Sequence, residues 1–175
     1  MVLSSTDVLL LLQRGYVDIG FMGGAQIDQY GNLNSSFIGE PERPTTRLPG
    51  TGGGNDIASL TQMIVAMKHE KRRFVNRVDF VTSPGFLSGE ESRRDAGLIT
   101  GGMYRIVTDL AVLGFEEHSK RMQLLAMHPG ATADHVQANT GFELLVAADL
   151  EITDPPAERE LAVLRHLDPD RLYTA

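Results

Sequence analysis

The chain has 175 residues, 42% apolar and 22% charged, enough to bury a core and most simply read as one domain spanning 1–175. Its formal charge of −7 argues against a nucleic-acid binder working through a broad basic face. With no cysteine, disulfides, thiolate catalysis and cysteine-ligated metal are excluded, and the acidic, cysteine-free composition fits a cytoplasmic enzyme.

Ser4, Ser5 and Thr6 offer N-caps for a short helix over Val8–Gln13, with Gly15 as its stop. The leucine run is apolar all round, so the helix is expected to be buried on every side. Burial on all sides so near the first residue predicts neighbours that are absent or supplied by another chain. Runs such as Val8–Leu12 are far too short to cross a membrane, and no signal-peptide pattern leads them. Tyr16–Met22 reads as a strand ending at Gly23-Gly24. Residues 25–47 are polar and turn-rich, an ordered functional loop with a small hairpin tip at Tyr30-Gly31-Asn32.

The most distinctive stretch is Arg47-Leu48-Pro49-Gly50-Thr51-Gly52-Gly53-Gly54-Asn55-Asp56. Four glycines in five positions, followed by two N-cap formers and an apolar run, predict a turn opening into a helix over Asp56–Thr61. Bare N–H groups on such a turn can hold an anion or a developing negative oxygen, or the glycines simply permit a sharp corner. Asp56 either caps the helix or meets a ligand. Gln26 and Asn32 either bind polar groups of a substrate or satisfy the loop backbone.

Beyond it, Met63–Lys68 reads as a buried strand, Phe74–Thr82 as another, and Leu87–Leu98 as a polar loop. Tyr104–Thr108 and Leu110–Phe115 are strand-like, the second pairing with Met122–Met127 across a charged turn. Thr132–Asn139 is a capped helix, Phe142–Val146 a short strand, and Pro155-Pro156 open a last helix with Leu161, Leu164 and Leu167 at helical spacing. From Asp149 onward seven acids face three arginines, as on a solvated surface. The alternation predicts an α/β fold with an open, mostly parallel sheet, one antiparallel hairpin and flanking helices.

The chemical motifs are mostly negative. Five histidines, His69, His118, His128, His135 and His166, are scattered without metal-ligand spacing, so no metal is expected. There is no G-x-S-x-G elbow, no Lys-Ser/Thr after the glycines as in a P-loop, and no dinucleotide fingerprint. Lys68, Lys71, Arg72, Arg73 and Arg77 form a basic cluster that either meets phosphates or is a solvated turn.

Several motifs occur in fixed order: Gly20-Phe21-Met22-Gly23-Gly24-Ala25-Gln26-Ile27-Asp28 with Tyr30-Gly31-Asn32-Leu33-Asn34, then the glycine turn, then Val107–Phe115, His128-Pro129-Gly130, Val136–Leu144 and Asp168–Tyr173. Together they resemble the β subunit of family I coenzyme A transferases, most closely the glutaconate branch. The resemblance implies a NagB/RpiA/CoA-transferase-like fold, an α-subunit partner, and coenzyme A as substrate with no permanently bound cofactor. It also implies CoA exchange between an acyl-CoA and a carboxylate such as glutaconate, through a glutamyl-CoA intermediate. In this reading Gly53 and Gly54 form the oxyanion hole, and Gln26, Asn32, Gly52 and Asn55 are substrate-binding. The family's Glu-Asn-Gly motif, which carries the nucleophilic glutamate, is not found, so no catalytic glutamate is assigned. The chain then corresponds to the C-terminal two-thirds of the family domain, N-terminally truncated, inactive alone and expected to self-associate through surface meant for its partner. Two alternatives remain: a ring-opening CoA-thioester hydrolase subunit of steroid degradation, or a non-enzymatic CoA-binding scaffold.

Overall fold

A computed structural model describes residues 2–172, so Tyr173 of the C-terminal motif lies outside the described residues. Six strands form the main sheet in the order β1-β6-β7-β8-β9-β10. β1 (Ile19–Met22), β6 (Gln62–Ala66) and β7 (Gly102–Val107) run parallel. β8 (Ala111–Phe115) and β9 (Met122–Met127) continue as an antiparallel meander, and β10 (Leu145–Ile152) returns parallel to β9. This is the open, mostly parallel α/β sheet with an antiparallel hairpin that the alternating pattern predicts, three of its five pairings being parallel.

The strands follow the two-residue period of side chains on a pleated sheet. In β9, Met122, Leu124 and Ala126 are buried while the residues between them are half-buried. Met122 and Leu124 join Ala58 of α2 (Gly54–Leu60) and Val136 of α4 (Ala133–Ala138), together with Ile27, Leu33 and Phe74 from the long loops, in one buried apolar cluster. Side chains as fully buried as Phe74 and Ile27 contribute about 1.5–3 kcal/mol each. α4 is capped as its sequence predicts, with the Thr132 hydroxyl accepting from the His135 N–H.

Residues 25–47 hold two hairpins. β2 (Gln26–Ile27) and β3 (Leu33–Asn34) enclose the predicted Tyr30-Gly31-Asn32 tip, and β4 (Phe37–Glu40) pairs with β5 (Arg43–Arg47). The β2–β3 hairpin is tied to β9 by the Met122 N–H, which donates to the Gln29 carbonyl at 2.7 Å, and side-chain amides brace its short ladder. Asn34 donates from Nδ2 to Gln26 Oε1 and to the Phe37 carbonyl, both at 2.7 Å.

Three expectations need correction. α1 (Ser5–Gln13) is capped by Ser4 and Asp7 as a capping box, but it is not buried on all sides. Only Leu12 is buried, and Val8 and Leu10 are each 41% exposed, because among the described helices only α2 packs closely on α1 and covers just one face. No strand forms over Phe74–Thr82. Its ends, with Ser83 just beyond, meet the 25–47 loops at two isolated bridges, Ile27 with Phe74 and Leu33 with Ser83. Between them Asp79 turns to loop partners, accepting from the Gly39 N–H at 2.8 Å and from Gln26 Nε2 at 3.2 Å. The last strand begins at Leu145 rather than Phe142, since Gln137 binds the Phe142 carbonyl and the Leu144 N–H and so ties 142–144 to α4. α5 (Glu158–Leu167) forms where Pro155-Pro156 predict it, but carries no buried residue.

Glycines mark the tightest approaches. A Cβ on Gly85 would lie 2.3 Å from the Gly31 carbonyl carbon and 2.5 Å from the Tyr30 oxygen, all backbone atoms. Gly15, by contrast, has open space but φ of +74°. Gly85→Ala is expected to lower the unfolding free energy by about 2 kcal/mol or more, and Gly15→Ala by only about 1 kcal/mol. Urea unfolding of both variants checks the ranking.

Candidate functional site

In open α/β sheets, ligands gather beyond the carboxyl ends of parallel strands. Here those ends are Met22, Ala66 and Val107. β1 leads directly into Gly23-Gly24, and α2 lies antiparallel on β1. A Cβ on Gly54, at the start of α2, would meet Met22, while a Cβ on Gly20 would meet Ile57 and Thr61 near its end. The glycine turn is thereby carried to the same edge as Gly23-Gly24.

The turn is held from its loop side. The Gly50 N–H donates to the Ser35 carbonyl at 2.8 Å, and the Ser35 hydroxyl returns a bond to the Gly50 carbonyl at 2.9 Å. Gly50 and Gly52 adopt φ of +95° and +52°, which glycine tolerates best. The N-cap position is Gly53, which has no side chain to cap with, and Thr51 supplies the missing acceptors instead. Its carbonyl accepts from the Gly54 N–H at 2.7 Å and its hydroxyl from the Asn55 N–H at 3.1 Å. Asn55 and Asp56 are therefore first-turn residues of α2, not its caps.

The four sequence-predicted residues of this turn differ in access. Gly54 is buried with its N–H occupied, and a Cβ there would lie 2.9 Å from both Met22 Cε and Ser83 Oγ. Gly53 is half-buried and Gly52 exposed, and among the described residues no oxygen accepts from either N–H. Both border a cleft of about 550 Å³ walled by Leu3, Val8, Leu9, Leu12 and Ile57. Apolar walls lower the local dielectric, which strengthens any hydrogen bond these amides make. Asn55 is exposed at the rim, its Nδ2 3.5 Å from the Thr82 carbonyl.

Gln26 and Asn32 lie deeper and serve the frame. Asn32 is 2% exposed; its Nδ2 donates to Asp28 and to the Leu87 carbonyl, and its Oδ1 accepts from the Gly85 and Leu87 N–H groups. Gln26 binds Asp79 and Asn34 with both ends of its amide. Burial raises the Asp28 carboxyl above its usual range, partly offset by its Asn32 and backbone hydrogen bonds.

A second hollow of about 530 Å³ adjoins Gly24 and is bordered by Gln26, Ile38, Thr46, Leu48, Arg72 and Arg73. The Gly23 and Gly24 N–H groups also lack acceptors among the described residues. In the sequence this doublet reads only as a strand stop, because nothing local to it distinguishes a free amide from a paired one. The basic cluster is divided: Arg72 and Arg73 share Glu70 Oε2 at 2.7 and 3.0 Å, and Lys68 lies 3.5 Å from Asp109. No cluster of metal-ligating side chains occurs among the described residues, and no described helix is long and apolar enough to cross a membrane.

Comparison with known proteins adds a family to this geometry. Residues 1–139 match the family described as Coenzyme A transferase. The chain is 43% identical over 156 residues to the B-type subunit of glutaconate CoA-transferase from Acidaminococcus fermentans, covering 89% of this chain and 59% of that one. It is 39% identical to the B-type subunit of 3-oxoadipate CoA-transferase from Pseudomonas knackmussii, covering 90% of this chain and 61% of that one. It is 36% identical to the IpdB subunit of the cholesterol ring-cleaving hydrolase of Rhodococcus jostii, covering 86% and 60%. The crystal structure of the Acidaminococcus fermentans enzyme superposes with a TM-score of 0.92 at 36% identity, over 100% of this chain and 70% of that one. The chain thus spans about three-fifths of the length of these curated relatives.

One buried titratable group near the strand ends allows a test of the frame. His69 is 4% exposed, stacked on Phe74 with ring centroids 4.1 Å apart, and its nitrogens reach the Thr108 and Thr140 hydroxyls at 3.2 and 3.0 Å. Burial lowers its pKa to about 4, with Asp109 opposing and His135 assisting. Since the unfolded imidazole binds a proton near pH 6.5 and the folded one does not, unfolding takes up a proton between these values. Stability should therefore be full above pH 6.5 and fall as the pH drops towards 4, by a few kcal/mol in total. Denaturant titrations of wild type and His69→Gln across this range should show the slope in the first and a flatter profile in the second.

Proposed function

Because the chain belongs to the coenzyme A transferase family, we propose that it is β-subunit sequence of an acyl-CoA:carboxylate CoA-transferase that works with an α subunit. The acyl group is that of a small dicarboxylate such as glutaconate, and coenzyme A is a substrate, not a resident cofactor. In the reaction a glutamate carboxylate attacks the thioester carbonyl, giving an acyl-glutamyl anhydride and CoA thiolate. The thiolate then attacks the glutamyl carbonyl, releasing the first carboxylate and leaving a glutamyl-CoA thioester for the reverse sequence with the acceptor. Each addition passes through a tetrahedral oxyanion. None of the described glutamates is assigned as the nucleophile.

The observation that carries this reading is the pair of amides of Gly52 and Gly53, from which no oxygen accepts among the described residues, bordering an apolar cleft in a chain of this family. We assign the oxyanion donors to them. Gly54, named with Gly53 on sequence grounds, supports the turn through Thr51 and its contact with Ser83, and Gln26 and Asn32 brace the loops.

Gly53→Ala keeps the N–H, and its Cβ would meet only Leu9, at 3.4 Å. Gly53→Pro removes the N–H. With the full gene product and an α subunit, CoA transfer from an acyl-CoA to a carboxylate should survive the alanine change within a few-fold. The proline variant should lose about 10²–10³ in kcat. Equal rates for the two variants, or no transfer by the complete complex, would reject the assignment.

The 36% identity to the ring-cleaving hydrolase subunit favours a second reading, thioester-dependent ring opening without an acceptor. Product analysis separates them. The transferase yields a new acyl-CoA only when a carboxylate acceptor is supplied; the hydrolase turns over without one. A scaffold binds CoA and does neither.

A further inference from the structure

Arg93 sits on the short helix α3 (Ser92–Asp95) in a polar surface loop, yet only 6% of it is exposed. No carboxylate pairs with it among the described residues. Its guanidinium instead collects four carbonyl oxygens. Nη1 donates to Pro84 at 3.0 Å and Gly85 at 2.8 Å, and Nη2 to Ala58 and Thr100, both at 2.7 Å. Nε is buried without an acceptor.

A cation buried this way is unfavourable, and an apolar side chain of similar volume would avoid the desolvation. What the guanidinium adds is connection. Its planar fork grips three segments that are distant in sequence, a geometry a lysine cannot reproduce. Ala58 O lies in the last turn of α2, where carbonyls lack helical partners and favour a positive charge. Thr100 makes a second link there, its hydroxyl donating to the Ser59 carbonyl at 2.9 Å. Pro84 and Gly85 follow Ser83, whose hydroxyl lies against Gly54 at the other end of the same helix. The Ser83 hydroxyl and Arg93 Nε are the buried side-chain atoms left without partners among the described residues. Both flank α2.

We propose that Arg93 is a positioning residue: by clamping Ala58, Pro84-Gly85 and Thr100 on one guanidinium, it fixes α2 and the glycine turn in front of it, so that the Gly52 and Gly53 amides keep one direction. This rests on the reading of those amides as oxyanion donors. Small displacements of such donors are costly because their contribution depends on preorganisation.

The test compares Arg93→Lys and Arg93→Met with Arg94→Ala in the full protein with its α subunit. Arg94 is on the same helix, but its side chain is 79% exposed and only 3.8 Å from Glu91, so its variant serves as the control. Two readouts are taken. In hydrogen exchange, the Ile57 and Thr61 amides of the Arg93 variants should exchange at least tenfold faster, while Leu113 and Leu124 in β8 and β9 are unchanged. In kinetics, kcat should fall at least tenfold with KM for the acyl-CoA within about twofold. Arg94→Ala should match wild type in both. Unchanged exchange in α2, an even rise across the sheet, or a KM increase at constant kcat would overturn the proposal. If Arg93→Met does not fold, Arg93→Lys decides by the same criteria. If the wild-type complex transfers no CoA, the transferase reading fails and exchange alone decides the clamp: acceleration confined to α2 upholds it, and an even rise overturns it.

Discussion

Helix α2 lies so close on β1 that two residues of their contact have no room for a methyl group. A Cβ on Gly20 of the strand would stand 2.4 Å from Ile57 Cγ2, and one on Gly54 of the helix would stand 2.9 Å from Met22 and Ser83. That approach decides where the glycine turn can be. It fixes the start of α2 over the carboxyl end of β1, beside Gly23-Gly24. Thr51 takes the Gly54 and Asn55 amides, and among the described residues no oxygen accepts from those of Gly52 and Gly53, which border the cleft.

The polar loops keep this arrangement rigid by hydrogen bonding in place of sheet structure. Asn32 and Gln26 bind across gaps of more than fifty residues, joining 26–34 to 79–87. Such amides satisfy backbone groups that would otherwise be buried without partners, and a buried network of this kind is stabilising only when complete. Gln26 and Asn32, which read equally well as ligands or as loop anchors in the sequence, direct their side-chain amides to the loops.

Much of the fold is legible in the sequence because it follows short-range rules. The β8–β9 hairpin shows in two short apolar runs about a charged turn, and α4 in its Thr132 cap. The segment Phe74–Thr82 also reads as a strand, but Asp79 and Asn76 find loop partners, and nothing local in the sequence signals that choice. α1 has an apolar surface all round, from which burial follows only if partners surround it. At the candidate site, the glycine run and its position before a helix are readable. The separate fates of Gly53 and Gly54 are not, since they depend on Thr51, Met22 and Ser83 meeting in space. Arg93 gives no signal at all: an Arg-Arg pair in a polar loop looks like solvent-facing charge.

Bare glycine amides meeting a thioester oxygen are the premise of the proposed chemistry, and one observation addresses them directly. A crystal structure of the complete αβ assembly with a non-hydrolysable CoA-thioester analogue should place the carbonyl oxygen about 2.7–3.1 Å from the Gly52 or Gly53 nitrogen. An oxygen held elsewhere, for instance by the Gly23 and Gly24 amides with the glycine turn out of reach, would contradict it.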